Sequence, residues 1–317
     1  MSDNVYLITG GTGSFGKAFT RDLLRNHNPK QIRIFSRDEL KQAQMDEQIK
    51  DRRVEYLCGD IRDYERLCVA MRGVDIVVHA AAMKRIEKCE RDPQEAIKTN
   101  VLGSVNVANA CLQSNVKAAI LISTDKAVYP INTYGKTKAL AENVWLQQNV
   151  YRGANFVSKY SVVRYGNVIG SRGSIIPLFK EQAKSGVITV TDAEMTRYFI
   201  TLQQAVDLVH AAIELQQGGE IFLPKLKALR IGTLARLLAP EAQIINIGPR
   251  AGEKLHEILF TNEEAFRIHT EPNFTVINPQ YTSWPYAPYT PNYDGGADSS
   301  LTAAQFTLEE LQELISE

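Results

Sequence analysis

The sequence predicts an α/β protein built on a doubly wound parallel sheet, followed by a smaller C-terminal lobe. Three observations carry this. Short apolar runs alternate with charged, helix-period stretches through the first half of the 317 residues, the rhythm of strands joined by crossover helices. A glycine-rich turn, TGGTGSFG, sits between the first run and the first helical stretch. After about Ile169 the alternation gives way to shorter segments interleaved with loops.

Val5–Thr9 is an unbroken apolar run of strand length, as a strand covered on both faces requires. Gly10, Gly13 and Gly16 follow at once and lead into a helix over Lys17–Asn26. One glycine lets the turn take positive φ, another lets backbone approach a pyrophosphate, and a third lets helix and strand pack closely. The helix N–H groups then face the phosphate charge. In this strand–turn–helix setting the motif predicts a dinucleotide site, and the domain is expected to be of Rossmann type. The second strand, Gln31–Phe35, runs into FSRDEL. An NAD site places a carboxylate there for the ribose hydroxyl, whereas Ser36 and Arg37 suit a 2′-phosphate, so NADP is favoured and Asp38 keeps NAD open.

A helix over Asp38–Lys50 and a strand over Val54–Cys58 come next, then Asp60 and Ile61, whose carboxylate and side chain suit the amine and ring of an adenine. A helix over Arg62–Met71 leads to a strand over Val74–His79, which ends in Ala80, Ala81 and Ala82, small enough for a cofactor to lie across them. A long helix is expected over Pro93–Gln113, a strand over Ala118–Ser123, a second long helix over Thr137–Val150 and a sixth strand over Lys159–Arg164. The first domain is thus expected to span 1–168. The lobe over 169–317, with returns to the first domain allowed, contains segments at Ile175–Ser185, Ile188–Val190, Thr201–Gln216, Ile221–Pro224, Ile231–Leu238 and Gln243–Ile247. Asn273–Gly296, rich in Pro, Tyr and Asn, reads as an irregular surface excursion, and Thr307 with Glu310 as a capping box for a last helix, Leu308–Ser316.

Lys plus Arg equals Asp plus Glu at 36 each, so no bulk field attracts nucleic acid or anionic lipid, and any anion must be held by local geometry. Cys58, Cys68, Cys89 and Cys111 have no close metal-ligand spacing and read as reduced, small core residues. No metal is expected. No basic leader precedes the first strand, and no apolar run approaches the ~20 residues that span a bilayer. A soluble, cytoplasmic protein is expected.

The stretch STDKAVYPINTYGKTK, Ser123 to Lys138, carries the chemistry. Tyr134 and Lys138 are four apart and share a helix face. An ammonium beside a phenol is expected to lower its pKa from about 10 and make it a usable base. Lys136 points elsewhere. Thr124 offers a hydroxyl to the oxygen being oxidised. A simple redox site has no use for Lys126, directly after Asp125.

On these residues the chain resembles an extended short-chain dehydrogenase/reductase, and within that superfamily the C5-inverting UDP-N-acetylglucosamine 4,6-dehydratases. The likeness runs from Val5 to about Glu257, through FSRDEL, AAMK, KTNVLGS, STDKAV, VRYGNVIGSRGSIIPLF, MTRYFITL and RAGEKLHE. Related dehydratases of unsubstituted sugar nucleotides carry Asp-Glu where this chain has Asp125-Lys126. The resemblance implies that Tyr134 removes the 4-hydroxyl proton while hydride passes to NADP, and that a base then takes the acidified C5 proton. An acid protonates the departing 6-hydroxyl, hydride returns to C6, and a proton returns to the opposite face of C5. Lys126 would be that base, its pKa lowered by burial and by Lys138 and Lys84, and Asp125 the acid. Thr12, Ser14, Phe15, Lys41, Lys84, Asn100 and Val168 carry over as further cofactor contacts. Lys84, Asn167, Arg172, Thr196, Arg250 and Glu253 carry over as substrate contacts, the arginines gripping the diphosphate. The substrate implied is UDP-N-acetylglucosamine, the product a precursor of surface or flagellar glycans such as pseudaminic acid, and the assembly a homo-oligomer, dimer or hexamer, through the two long helices. His79 reads as a satisfied strand-end histidine, and His210 and His256 have no evident partner. Tyr129 and Ala251 depart from the pattern, where asparagine and proline are usual. A UDP-hexose 4-epimerase or a C5-retaining dehydratase shares the fold and the Tyr/Lys pair, and a non-catalytic NADP sensor shares the fold.

Overall fold

The computed structural model describes residues 3–151, 153, 157–171, 174–248, 250–307 and 309–311. β1 (Val5–Thr9), α1 (Ser14–Asn26), β2 (Gln31–Ser36), α2 (Glu39–Ile49), β3 (Val54–Cys58), α3 (Tyr64–Ala70) and β4 (Ile76–His79) form the first half of the sheet with its crossovers. α4 (Ile86–Arg91) and α5 (Pro93–Ala96) lead into a π-helical turn, Ile97–Leu102, and α6 (Gly103–Gln113). The long helix expected over Pro93–Gln113 is therefore continuous but widened in its middle. β5 (Ala118–Thr124), α7 (Thr133–Leu146), α8 (Gln148–Tyr151) and β6 (Lys159–Tyr165) complete the first unit. α7 starts four residues earlier than expected because Asn132 caps it, its side chain accepting from the Gly135 N–H at 2.7 Å.

Beyond β7 (Asn167–Val168) come α9 (Ile175–Ala183), β8 (Val187–Val190), β9 (Thr196–Ile200), α10 (Leu202–Leu215), β10 (Ile221–Pro224), β11 (Lys227–Arg230), α11 (Ile231–Leu238) and β12 (Gln243–Asn246). β13 (Ile258–Phe260), α12 (Asn262–Ala265), β14 (Ile268–Thr270), β15 (Phe274–Ile277) and β16 (Asp298–Ser299) follow. Among the described residues the main sheet has nine strands in the order β3-β2-β1-β4-β5-β6-β10-β15-β14. β3 through β10 are parallel, and β15 and β14 add to the edge antiparallel.

Alternation along β1 divides the core. Val5 and Leu7 face one apolar layer with Trp145 and Tyr160, while Tyr6 and Ile8 face another with Phe19 and Leu23 of α1 and Val206 and Val209 of α10. A third cluster, built on Ile176, Phe179, Ile188, Leu229 and Leu234, holds the smaller lobe. The stretch Asn273–Gly296 is not wholly irregular. β15 lies inside it and buries Val276 and Ile277, because an apolar run at the sheet edge finds both a ladder and a core face. The Thr307–Glu310 capping box forms, each residue's side chain accepting from the other's N–H, and the helix expected beyond Leu311 lies outside the described residues. Cys89 and Cys111 are buried, but Cys58 is exposed at the end of β3.

Candidate active site

At the C-terminal edge of the parallel strands lies a cleft of about 1460 Å³, lined from both units. Ligands of doubly wound sheets bind there, where strand order reverses between β1 and β4. Its first wall is the glycine turn. Gly10 has φ +66°, and a Cβ there would stand 2.8 Å from the Ala81 backbone, so β4 approaches too closely for any side chain. A Cβ at Gly16 would stand 2.4 Å from the Gly11 carbonyl oxygen. With Gly13 at its N-cap, α1 offers its first turn to the cleft without a capping side chain, and Thr12, Ser14 and Phe15 line it. This wall fits a dinucleotide pyrophosphate.

The second wall is built on β2 and β3. Arg37 is 60 % exposed at the rim, 3.6 Å from Asp60, and the Ser36 hydroxyl accepts from Gln42 at 3.1 Å. Asp38 caps α2, accepting from the Lys41 N–H at 3.0 Å while its other oxygen pairs with the Lys41 ammonium. Its carboxylate is therefore already engaged. Asp60 likewise takes three bonds from Arg62. Ile61, Ala80, Ala81, Lys84 and Val168 line the cleft. Asn100 does not reach it: 1 % exposed, its amide is committed to both backbone groups of Met83 and to the Thr137 hydroxyl. It holds the loop after β4 in place.

β5 delivers Thr124 and then a 3₁₀ turn, Asp125–Ala127, at the cleft floor. The first turn of α7 rests directly on it, for a Cβ on Gly135 would stand 2.2 Å from the Lys126 carbonyl oxygen. That contact sets Tyr134 beside Asp125 and Lys126. Asp125 is fully buried; its Oδ1 accepts from Thr124 at 2.9 Å and from Lys126 Nζ at 3.0 Å, and its Oδ2 has no hydrogen-bond partner. Burial raises its pKa, the Lys126 charge only partly opposing this. Lys126 Nζ also reaches Glu257 Oε1 and Asn167 Oδ1, each at 3.2 Å.

Two electrostatic expectations are overturned. Lys126 is not depressed: burial works against its charge, but Asp125 and Glu257 outweigh burial and raise its pKa above the ordinary lysine value, and the opposing cation is Arg197 rather than Lys138 or Lys84. The tuned lysine is Lys138, which burial lowers to about 8 against the opposing pull of Glu142; its Nζ donates to the Ile122 carbonyl at 2.8 Å. The Tyr134 phenol is pushed up to about 12 by burial, and the cation that works to lower it is Lys126. Lys136 is exposed.

Asn167 of β7, and Arg250 and Glu253 of the second unit, line the cleft. Arg250 lies 3.2 Å from Glu87 across the opening, and Glu253 Oε2 is buried without a partner, as a ligand-facing carboxylate would be. Thr196 is misplaced by the sequence reading. It is 1 % exposed, with its hydroxyl bonded to His256 at 2.8 Å and Ser300 at 2.6 Å. Arg172 lies outside the described residues. His79 is bonded to Thr9 and Ser104, and burial lowers its pKa to about 3. His210 does have a partner: it meets Asp22 at 2.7 Å, with His27 at 3.6 Å from the same oxygen. This cluster clamps α10 to α1, away from the cleft. Glu257 and Arg197 are the residues sequence reasoning passed over. Both stand in quoted motifs, but nothing local says that β13 and β9 bring them to Lys126.

A family model described as polysaccharide biosynthesis protein matches residues 6–279. The chain is 47% identical over 275 residues to a Campylobacter jejuni protein named UDP-N-acetylglucosamine 4,6-dehydratase (inverting), covering 86% of this chain and 82% of that one. It is 45% identical over 270 residues to a Rickettsia conorii protein named UDP-glucose 4-epimerase, covering 83% and 79%. Among solved structures, Pen from Bacillus thuringiensis superposes with a TM-score of 0.92 at 36% identity, over 99% of this chain and 98% of that one.

Proposed function

The chain belongs to the polysaccharide biosynthesis protein family, and from that premise we propose that it is a cytoplasmic, NADP-dependent UDP-N-acetylglucosamine 4,6-dehydratase that inverts C5. The observation that carries the reading is that Lys126 and Tyr134 line the cleft together while the Asp125 carboxylate lies buried directly behind Lys126, 3.0 Å from its ammonium. Epimerisation at C4 needs only oxidation and reduction there. An acid for the 6-hydroxyl and a basic group for C5 are needed only if water leaves. The name of the Campylobacter relative supports the same reaction.

Arg37 and Lys41 at the rim, together with the engagement of Asp38 by α2, support a 2′-phosphate and hence NADP. When bound in oxidised form, the nicotinamide supplies a positively charged hydride acceptor whose redox state is restored within one turnover. Tyr134, a phenol in the resting site, holds and moves the 4-hydroxyl proton, and a cation brought alongside would lower it into the working range. Asp125, whose pKa burial raises, delivers the proton that lets the 6-hydroxyl depart. Lys126, once it has released its own proton, takes the C5 proton. Arg250 and Glu253 hold the nucleotide. The product is a 4-keto-6-deoxy sugar of L-arabino configuration, suited to surface or flagellar glycans of the pseudaminic acid type. A homo-oligomer forms through the outer face of the two long helices, where Leu102 and Leu140 are exposed.

Proton NMR of UDP-N-acetylglucosamine incubated with the enzyme in D2O, with no added reductant, tests this. A C6 methyl, deuterium at C5 and couplings of the inverted ring are expected. A methyl with retained C5 would remove the inversion. Conversion at C4 alone would favour the epimerase reading that the Rickettsia relative suggests.

A further inference from the structure

Lys126 Nζ donates to Asp125 Oδ1 at 3.0 Å and to Asn167 Oδ1 at 3.2 Å, and stands 3.2 Å from Glu257 Oε1 as an ion pair. An ammonium has three N–H donors and a neutral amine only two plus a lone pair. Two donations alone would suit either form, but two carboxylates within 3.2 Å make the resting site one for the ammonium. Asp125 and Glu257 both hold the charge, Asp125 the more strongly; Asp125 is the reaction's acid and Asn167 is neutral, so the carboxylate with no other task there is Glu257. It is 2 % exposed and fixed by its backbone, whose N–H donates to the Ser300 hydroxyl at 2.9 Å and whose carbonyl accepts from the Ser300 N–H at 2.8 Å.

The other charges facing the pair are Arg197, whose Nε lies 3.9 Å from Glu257 Oε1, and Lys254, whose Nζ lies 3.8 Å from Oε2. Arg197 is itself immobilised by the carbonyls of Thr196, Leu255 and Lys254. Tyr134 adds a neutral phenol. Three cations thus keep Glu257 ionised although it is buried, and burial, the largest influence, is outweighed so that its pKa lies below the usual range. Breaking a buried ion pair is costly, and apolar residues would fill this space at least as stably. A carboxylate retained here, lining the cleft with one oxygen free of hydrogen bonds, has a role beyond packing.

Resting on the dehydratase reading above, we propose that Glu257 is a positioning residue for Lys126, holding its ammonium in place and setting the pH above which it becomes the free amine that works at C5. The step is a simple dissociation: one N–H bond of the ammonium breaks, the proton passes to water through the open cleft, and the electron pair stays on nitrogen.

The test reads Lys126 directly. Trace acetylation with acetic anhydride over a range of pH, quantified by peptide mass spectrometry without substrate, reports the fraction of free amine at each lysine. In Glu257→Gln the midpoint for Lys126 is expected to fall by about one unit or more, while exposed Lys136 serves as the unmoved reference. The acidic limb of the kcat profile is expected to fall with it, at nearly constant KM. Arg197→Gln, which removes an opposing cation, is expected to move the midpoint the other way, a reversal that general loosening of the fold does not produce. Glu257→Asp is expected to restore much of the wild-type midpoint. An unmoved midpoint in Glu257→Gln, or a kcat profile lowered uniformly at unchanged shape, overturns the proposal. Because labelling needs no turnover, the two readings fail separately: a moved midpoint with no C6 methyl removes the dehydratase and leaves the grip of Glu257 on Lys126 standing.

Discussion

At Asp125, burial and charge pull in opposite directions, and burial prevails. The side chain is shut off from water, and among the described residues its Oδ2 has no hydrogen-bond partner, which favours a proton on that oxygen. Asp125→Asn keeps the shape and removes the proton. Formation of the C6 methyl is expected to fall by ~10²–10⁴-fold, while the protein still folds at a somewhat lower melting temperature, because Lys126 keeps Glu257 but loses its other carboxylate. Loss of activity together with loss of folding would remove the assignment. His79 gives a pH signature of another kind. Its folded pKa of about 3 lies below the ordinary histidine value of 6.5, so between those values the unfolded chain binds the proton and the folded chain does not. Stability is complete above pH 6.5 and is lost as pH falls through that window, at about 1.4 kcal/mol per pH unit. Denaturant unfolding from pH 7 to 5 should show the slope in the wild type, and His79→Gln should flatten it.

Among elements, the contact of α7 with the turn after β5 matters most for chemistry. Gly135 lets the helix lie on the Lys126 carbonyl, which is how Tyr134 comes to share a site with residues eight and nine positions before it. A methyl there would push against the Lys126 backbone and the Pro130 ring. Gly135→Ala is expected to lower kcat by about 10²-fold, through a displacement of about an ångström at Tyr134, while the dinucleotide end keeps its affinity; equilibrium binding of NADP beside turnover would separate the two. The glycine turn and the Tyr-x-x-x-Lys spacing were legible in the sequence because each is local, a few residues whose geometry one strand–turn–helix unit determines. Of the seven parallel strands, β1 and β4 were legible for the same reason, since burial on both faces leaves unbroken apolar runs; β3, with Glu55 and only partial burial, was legible from its place in the strand–helix rhythm. Glu257 was not, because its partner lies more than a hundred residues away and only sheet topology joins them. β15 hid inside a Pro- and Tyr-rich stretch, where four apolar-leaning residues carry no period. The proton on Lys126 was misread for want of that same carboxylate. Tyr129 has a physical account too: its φ is +41°, in the left-handed region that asparagine tolerates better, and its hydroxyl bonds Glu263 at 3.0 Å.

On the scale of the whole molecule, the chain does not divide where its rhythm changes. After residue 168 it builds part of the lobe, returns through α10 and β10, and returns again through β14 and β15. α10 buries Val206, Leu208 and Val209 against the face that also receives Phe19 and Leu23, and His210 fastens it to Asp22 of α1. β10 covers the edge of β6. Arg164, 3 % exposed on β6, pairs with Glu142 of α7 and with Glu264 of α12, so an ion cluster inside the first unit is completed by the second. A fragment ending at residue 168 would therefore present a bare strand edge, an uncovered apolar face and a buried guanidinium short of one carboxylate, three liabilities at once. Such a fragment is expected to retain far-ultraviolet helix and strand signal, to lose near-ultraviolet ellipticity, to bind an apolar dye and to aggregate on concentration. The full chain should unfold in one transition seen alike by both signals. A compact, monomeric fragment with near-native tertiary signal would show instead that the first unit is autonomous. The cleft would then be a joint between independent bodies, free to open, rather than a seam within one core that holds Glu257 against Lys126.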